Sequence, residues 1–174
     1  EFCGVAHARM RFRVIAEDEA DFNVWLNAMK TPPKTTSSEG YGLFLAHCSM
    51  CHSIDSYMNE SYEKEITVQD DRWADWFHNQ EESARVSAPN LTHLGIRTML
   101  AAGQKDMTRE NLIAWIKDPS DIKQGTRMQS VATVYQGGAA KLKEHEVEAI
   151  ADYLLSQIPD GWGSVSTSTE SLEE

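Results

Sequence analysis

The chain has 174 residues, 41% of them hydrophobic and 25% charged, which is enough to bury one core and at most a small second unit. Sixteen lysine and arginine residues against 27 aspartate and glutamate residues give a formal net charge of −11. Because this charge repels phosphate, we expect no nucleic-acid partner, and an acidic surface better suits a cationic protein. No run reaches the roughly 20 apolar residues that cross a bilayer. Any membrane association would therefore come from segments outside this sequence.

The first predicted element is a strand in MRFRVIAED (10–18), where Phe12 and Val14 alternate with arginines. The following EADFNVWLNAM (19–29) has the pattern of a short helix. Two prolines and a run of hydroxyl residues in KTPPKTTSS (30–38) then predict a linker. The chain therefore divides into two differently patterned regions.

Beyond the linker the pattern is helical. Thr36 and Glu39 are spaced as a capping box and predict the start of a first helix. Its apolar face is expected to carry Tyr41, Phe44, Leu45 and Cys48.

Two further helices are predicted nearer the C-terminus. One starts near Thr108 and stops by Asp118, because Pro119 disfavours helix in the preceding residue. The other ends at PDG (159–161), and its apolar positions are Val147, Ile150, Ala151, Leu154 and Ile158. The polar, low-complexity residues that follow predict a disordered tail.

The five residues CSMCH (48–52) fall at the end of the first of these helices and have three interpretations. A redox-active pair of Cys48 and Cys51 is expected beside a βαβ pattern, which the sequence does not show. A structural zinc site needs four ligands, and the downstream histidines are scattered. Covalent attachment of haem c needs two thiols two residues apart and a histidine next to the second. CSMCH supplies all three, which favours haem c.

A second axial ligand for a haem is available in KQGTRMQS, where Met128 stands in a loop between the second and third helices. The order CSMCH, APNLTHLG (88–95), GTRM (125–128) and a final helix resembles the class I cytochrome c family. The resemblance covers about residues 37–160. It implies an all-α fold around a covalently bound haem c.

Six residues match the haem contacts of that family: Cys48, Cys51, His52, Pro89, Leu91 and Met128. The match implies that the two cysteines bind the haem and that His52 and Met128 ligate its iron. It also implies that the carbonyl oxygen of Pro89 holds the His52 ring, and that Leu91 packs on the haem. A hydrogen bond that holds the ring of a ligating histidine in this way sets the basicity of that ligand.

Other residues compete for these roles. Met99 and Met107 are ranked below the methionine of the GTRM loop, because either could fill the core or the surface. A lone histidine in a loop, His93, is expected to be a hydrogen-bonded structural residue. Arg97 and Trp115 are candidates to bond a haem propionate.

At the N-terminus, EFCGVAHARM places Cys3, His7 and Met10 at spacings of four and three, and these soft ligands suit copper. The stretch resembles the second half of the dinuclear copper A motif, C-x-E-x-C-x-x-x-H-x-x-M, of cytochrome c oxidase subunit 2. The match implies that Cys3 bridges two coppers, that His7 and Met10 each bind one, and that Glu1 ligates through its carbonyl. The motif's first cysteine and the upstream histidine of the site are absent, so this chain alone is not expected to assemble the copper centre.

Taken together, the regions resemble subunit 2 of bacterial oxidases in which a cytochrome c is fused to the subunit. The resemblance implies the end of a cupredoxin (copper A) domain with a short β remnant at 1–30, a linker at 31–38, a cytochrome c domain at 39–160 and a tail at 161–174. We expect the chain to be a fragment that begins inside the copper A motif.

The implied function is electron transfer in a terminal respiratory oxidase. A soluble donor such as a cytochrome c would reduce haem c, which would pass the electron to copper A beside oxidase subunit 1. The resemblance places this electron transfer on the outer, periplasmic face of the bacterial cytoplasmic membrane. The chain would associate with the membrane only through missing N-terminal helices. A free-standing c-type cytochrome and a haem-free thiol-redox or binding module remain as alternatives.

One stretch departs from the family. Residues 53–87 are longer than the family pattern between CxxCH and APNL, and they carry Trp73, Trp76 and Phe77 at helical spacing. Two interpretations are equally compatible with this stretch. It is either an additional helix over the haem edge, or a donor-docking surface, or else it is a tolerated surface insertion.

Overall fold

The computed structural model describes residues 4–31, 33, 38–54, 88–160 and 162. Glu1 and Cys3, most of the linker, nearly all of the 53–87 insertion with its aromatic residues, and the rest of the tail lie outside them. Within the described ranges, no helix combines the length and the apolar character needed to cross a membrane.

Helices dominate the described chain, as predicted. The longer ones are α1 (Glu19–Met29), α2 (Glu39–His47), α3 (Arg109–Lys117) and α6 (Glu144–Leu155). Two short ones, α4 (Pro119–Ile122) and α5 (Arg127–Val131), lie between α3 and α6. Single 3₁₀ turns occupy Gly4–Arg9, Leu94–Ile96, Thr133–Tyr135 and Gly138–Ala140. A small antiparallel hairpin pairs β1 (Met99–Leu100) with β2 (Lys105–Asp106).

Side-chain caps start α2 and α3. The Ser38 hydroxyl accepts the Tyr41 amide at 3.2 Å, so α2 begins one residue after Ser38. The predicted capping residue Thr36 lies outside the described residues. Thr108 caps α3 in the same way by accepting the Asn111 amide at 3.1 Å, and α3 ends before the proline, as predicted.

The core lies where α2 and α3 pack on α6. Gly40 makes the α2–α6 crossing possible, because a Cβ there would collide with the Ala149 carbonyl and lie 2.8 Å from the Tyr153 Cβ. Leu45, predicted on the apolar face of α2, is 48% exposed, since it lies about 100° round the helix from buried Phe44. The buried cluster comprises Phe44, Leu94, Leu100, Leu112, Ile116, Val147, Ile150, Ala151, Tyr153 and Leu154.

The predicted strand at 10–18 is not formed, and these residues have no regular secondary structure. Phe12 and Val14 are 86% and 79% exposed. An isolated strand has no neighbour to bond its backbone, so alternation alone does not produce one. The helix predicted next forms as α1, but it buries no residue.

Candidate haem-binding site

The CSMCH stretch forms a tight turn at the end of α2. The Cys48 amide donates to the Phe44 carbonyl at 2.8 Å and closes the helix. The amides of Cys51 and His52 then both donate to the Cys48 carbonyl, at 3.0 and 2.9 Å. Both cysteines are free thiols, and both are half-buried like the histidine. The turn therefore brings two thiols and an imidazole together at one edge of the core.

The ring of His52 is fixed by a hydrogen bond to Pro89, with 2.8 Å between Nδ1 and the carbonyl oxygen. A carbonyl can only accept, so Nδ1 carries the proton and Nε2 keeps its lone pair. Histidines that ligate metals are oriented by this kind of bond through the second nitrogen. The contact that the sequence resemblance implied between these two residues is present.

The loop that orients this histidine is itself held from two sides. The Leu91 amide donates to the Ser53 carbonyl at 2.8 Å, which joins the loop to the chain just after CSMCH. The guanidinium of Arg97 donates to the Asn90 carbonyl at 2.7 Å and to the Thr92 carbonyl at 3.0 Å. Partial burial lowers the pKa of Arg97 below its ordinary value. Arg97, a propionate candidate from the sequence, thus stabilises the loop.

The thiol of Cys48 is poorly suited to thiol–disulfide exchange in this setting. Burial and, after it, the neighbouring Cys51 thiol together raise its pKa to about 11. Reactive CxxC pairs depend on a lowered thiol pKa, because the thiolate is the attacking species. The structure therefore gives the thiol-redox interpretation no support.

A cavity of about 480 Å³ lies between the end of α3, the start of α6 and the chain that joins α5 to α6. Tyr135 lines it, and its phenol donates to the Ile116 carbonyl at 2.8 Å. Burial, followed by the nearby Cys48 thiol, raises the pKa of Tyr135, which connects the cavity to the CSMCH turn. The lining consists of Ile116, Lys117, Gln129, Val134, Tyr135, Gly137, Lys141, Leu142, Glu144 and Val147.

Met128 is half-buried at the second position of α5, where a loop was expected. The next residue, Gln129, lines the cavity, and its Oε1 is buried without a hydrogen-bond partner. The competing methionines lie elsewhere: Met99 is in β1, and Met107 packs against the core.

His93 occupies a structural position. It is 7% exposed, and its Nε2 donates to the Thr31 carbonyl at 2.7 Å. That bond occupies the ring nitrogen that an iron would need, in agreement with the role expected from the sequence. Trp115 is half-buried and packs against the core.

The copper-type residues at the N-terminus are only partly described. His7 is exposed in the 3₁₀ turn, and the Met10 amide donates to the His7 carbonyl at 3.2 Å, so the two side chains share a face. Met10 is 41% exposed. Glu1 and Cys3 lie outside the described residues. Among the residues with a defined placement, no three His, Cys, Asp or Glu side chains gather as a metal site.

Haem c fits the residues that are present. Two thiols and a histidine with free Nε2 occupy one turn, which is the donor set that covalent haem attachment requires. The adjoining cavity has polar and apolar walls in similar measure, and one of its lining residues is Gln129, whose buried Oε1 has no hydrogen-bond partner among the described residues. Tyr135 and Gln129 also line the cavity, and no sequence motif marks either of them.

Comparisons with known proteins agree with this site. The cytochrome c family model matches residues 37–157. Cytochrome c oxidase subunit 2 of Bacillus subtilis (strain 168) is 33% identical over 159 residues, which cover 88% of this chain and 36% of that protein. The same subunit of Bacillus sp. (strain PS3) is 29% identical over 90% of this chain and 37% of its own length.

A third relative, cytochrome c oxidase subunit 2 of Alkalihalophilus pseudofirmus, is 26% identical over 90% of this chain and 37% of its own length. The chain thus spans little more than a third of the length of these relatives. The aligned part includes residues beyond the 121 or so that the family model matches, so the relationship extends outside the haem domain. With most of its length matched by the family model and a fitting CxxCH site, the chain belongs to the cytochrome c family.

Proposed function

We propose that this chain is the electron-entry part of a terminal oxidase, related to the C-terminal region of cytochrome c oxidase subunit 2. In this proposal haem c is bound by Cys48 and Cys51, and its iron by His52 and Met128. The single observation that carries it is the 2.8 Å bond from His52 Nδ1 to the Pro89 carbonyl, which leaves Nε2 free beside two thiols.

When bound, haem c supplies a one-electron iron(III)/iron(II) couple. The chain's own residues then have distinct tasks. His52 presents Nε2, and the Pro89 carbonyl raises the basicity of the ring by accepting from Nδ1. Leu91 packs against the core beside the turn, and Arg97 keeps the loop in place.

The second part of the proposal concerns copper A. His7 and Met10 would contribute to it in the complete subunit, with Glu1 and Cys3, while the remaining ligands would come from chain outside this sequence. The support is the motif and the alignment to oxidase subunits over 88–90% of the chain. We propose that the domain faces the outer side of the bacterial cytoplasmic membrane, beside oxidase subunit 1. The net charge of −11 favours a basic donor protein.

A free-standing c-type carrier is the second candidate, supported by the haem site alone. The alignment to oxidase subunits favours the first proposal, because it includes residues ahead of the haem domain. An absorption spectrum of the purified chain tests both candidate functions, because each of them needs a covalently retained haem.

The ligand assignment is tested by replacing Met128 with leucine, which keeps the side-chain volume and removes the thioether. Met128→Leu should retain haem through both cysteines, yet lose the weak red-end absorption band of an iron(III)–thioether bond. The reduction potential should fall with it, because thioether ligation raises the potential.

The matched controls are Met99→Leu and Met107→Leu, which should leave the band and the potential unchanged. If Met107→Leu abolished the band and Met128→Leu did not, the assignment would be wrong. Loss of all haem from the unmodified chain expressed with haem-attachment machinery would overturn the proposal as a whole.

A further inference from the structure

The N-terminal segment 4–13 lies against the haem domain at one place. The Arg11 amide donates to the Ala102 carbonyl at 2.8 Å, in the turn between β1 and β2. Gly103 in that turn approaches so closely that a Cβ there would stand 2.7 Å from the Arg11 carbonyl oxygen. Arg13 pairs with Asp106 of β2 at 3.6 Å, and Ala6 is 3% exposed. Exposed ion pairs contribute little, so backbone fit provides most of this contact.

The same segment reaches the loop that leads to Met128. A Cβ on Gly125 would lie 2.8 Å from the Val5 Cγ2. Gly125 stands three residues before Met128, and Val5 stands two residues before His7. His7, a copper-type residue, and Met128, the proposed sixth iron ligand, therefore each lie within three residues of the contact between Val5 and Gly125.

The haem domain holds the start of the linker at a second, separate place. Buried His93 donates from Nε2 to the Thr31 carbonyl at 2.7 Å. Pro33 forms an isolated antiparallel bridge with Pro159, just after α6. His93 has φ of 56°, a left-handed conformation that costs energy outside glycine and indicates a constrained position. The linker thus begins attached to the domain.

We infer that the described residues 4–31 and 33 form one fixed unit with the cytochrome c domain, docked through these two separate contacts. The first contact uses the β1–β2 turn and Gly125, and the second uses His93 and Pro159. This inference rests on the proposed function for its meaning: Val5, two residues before His7, is held against Gly125, three residues before Met128, so the two metal centres would keep a set separation. A flexible linker would instead let the two parts move freely, and it would act only by raising the effective concentration of one metal centre near the other.

The test compares two glycine variants of the haem-loaded chain. Gly103 has φ of +80° and Gly138 has φ of +72°, so alanine is strained at both. Only at Gly103 does the new Cβ meet the Arg11 backbone, because a Cβ on Gly138 would have nothing within 4 Å. Gly103→Ala should therefore speed hydrogen exchange of the Arg11 amide by about tenfold or more. Gly138→Ala should leave that exchange at the unmodified rate.

A second variant tests the other contact. His93→Asn keeps a residue that tolerates the left-handed conformation, and its shorter side chain no longer places an N–H donor at the Thr31 carbonyl. It should speed exchange of the Thr31 amide, which donates to the Ala28 carbonyl at 3.0 Å, and leave Arg11 slow. The absorption spectrum of each variant reports separately on the haem site, so loss of the proposed function is distinguishable from loss of docking.

Two outcomes would overturn the inference. One is an Arg11 amide that exchanges at the unfolded-chain rate in the unmodified protein, which would mean that the segment is free. The other is equal acceleration in Gly103→Ala and Gly138→Ala, which would assign the effect to backbone strain in the haem domain.

Discussion

Helices α1 and α6 have nearly the same length, 11 and 12 residues, but they differ in what packs on them. Helix α6 buries Val147, Ile150, Ala151, Tyr153 and Leu154, whereas α1 buries no residue. Helix α1 still forms, because Asp18 caps it by accepting the Asp21 amide at 2.9 Å. Local signals thus suffice to start a helix. Stability of the domain comes from the helices that have a partner.

The same contrast between a packed and an exposed surface appears within helix α2. Helix α2 has two glycines, Gly40 and Gly42, two residues apart, and only the first faces α6. A helix that meets another backbone closely has no room for a side chain at the crossing. A helix face in solvent has room and gains from one. The comparison predicts opposite effects for one identical substitution.

Gly40→Ala should give the largest effect, a loss of more than about 3 kcal/mol, because the added Cβ would meet the Ala149 backbone and not a flexible side chain. Gly42→Ala should instead stabilise the chain by about 0.5–1 kcal/mol, since a Cβ there meets nothing within 4 Å. Urea unfolding of the haem-loaded protein measures both. If Gly40→Ala were as stable as Gly42→Ala, the α2–α6 crossing would have to be different.

An intermediate effect is expected from deleting methyl groups on α6 and α1. Ile150→Val removes one methyl group from a residue that is 1% exposed and should cost about 1 kcal/mol. Val24→Ala removes two from a residue that is 39% exposed and should change stability by less than about 0.5 kcal/mol. The midpoint of thermal unfolding is the measurement. A larger loss from Val24→Ala would show that α1 is buried against something in solution.

The contrast between these helices explains what the sequence could predict. The helical spacing of apolar residues and the capping residues predict α3 and α6, because this information is local. Thr108 lies beside the residues it caps, and the proline after Asp118 ends α3. CSMCH is likewise a local motif, so its place at the end of α2 follows from one helix prediction. The predicted end of α6 at 159–161 was wrong, because this helix ends at Leu155 and Ile158 lies beyond it.

Other features depend on partners that no local pattern specifies. Alternation around Phe12 describes a two-faced strand, yet a strand also needs a neighbouring strand, and that information lies elsewhere. The partners of Arg97 are backbone carbonyls, which every residue has, so charge alone pointed to a propionate. Tyr135 comes near Cys48 only after the chain between α5 and α6 has folded back. The sequence pattern predicted Thr36 as the cap of α2, and Ser38 is the residue that caps it.

The smallest effect concerns the surface between α3 and α6, where Arg109 donates to both carboxylate oxygens of Asp152 at 2.6 and 2.9 Å. This bond, with the guanidinium charge, holds the pKa of Asp152 below its ordinary value of 3.8. A lowered folded-state pKa means that the unfolded chain binds more protons in this range. The contribution is therefore present above pH 3.8 and is lost as the pH falls through the lower folded value.

Asp152→Asn should accordingly be slightly less stable than the unmodified chain near neutral pH, and the difference should shrink as the pH falls below 3.8. Both groups are largely exposed, so the effect should be smaller than that of one buried methyl group, and salt should reduce it. Urea midpoints at a series of pH values measure the difference. Arg109→Gln is the matched control, because it removes the cause of the shift: adding Asp152→Asn to it should cost little more. A difference that widens in acid would contradict the assignment of this pair.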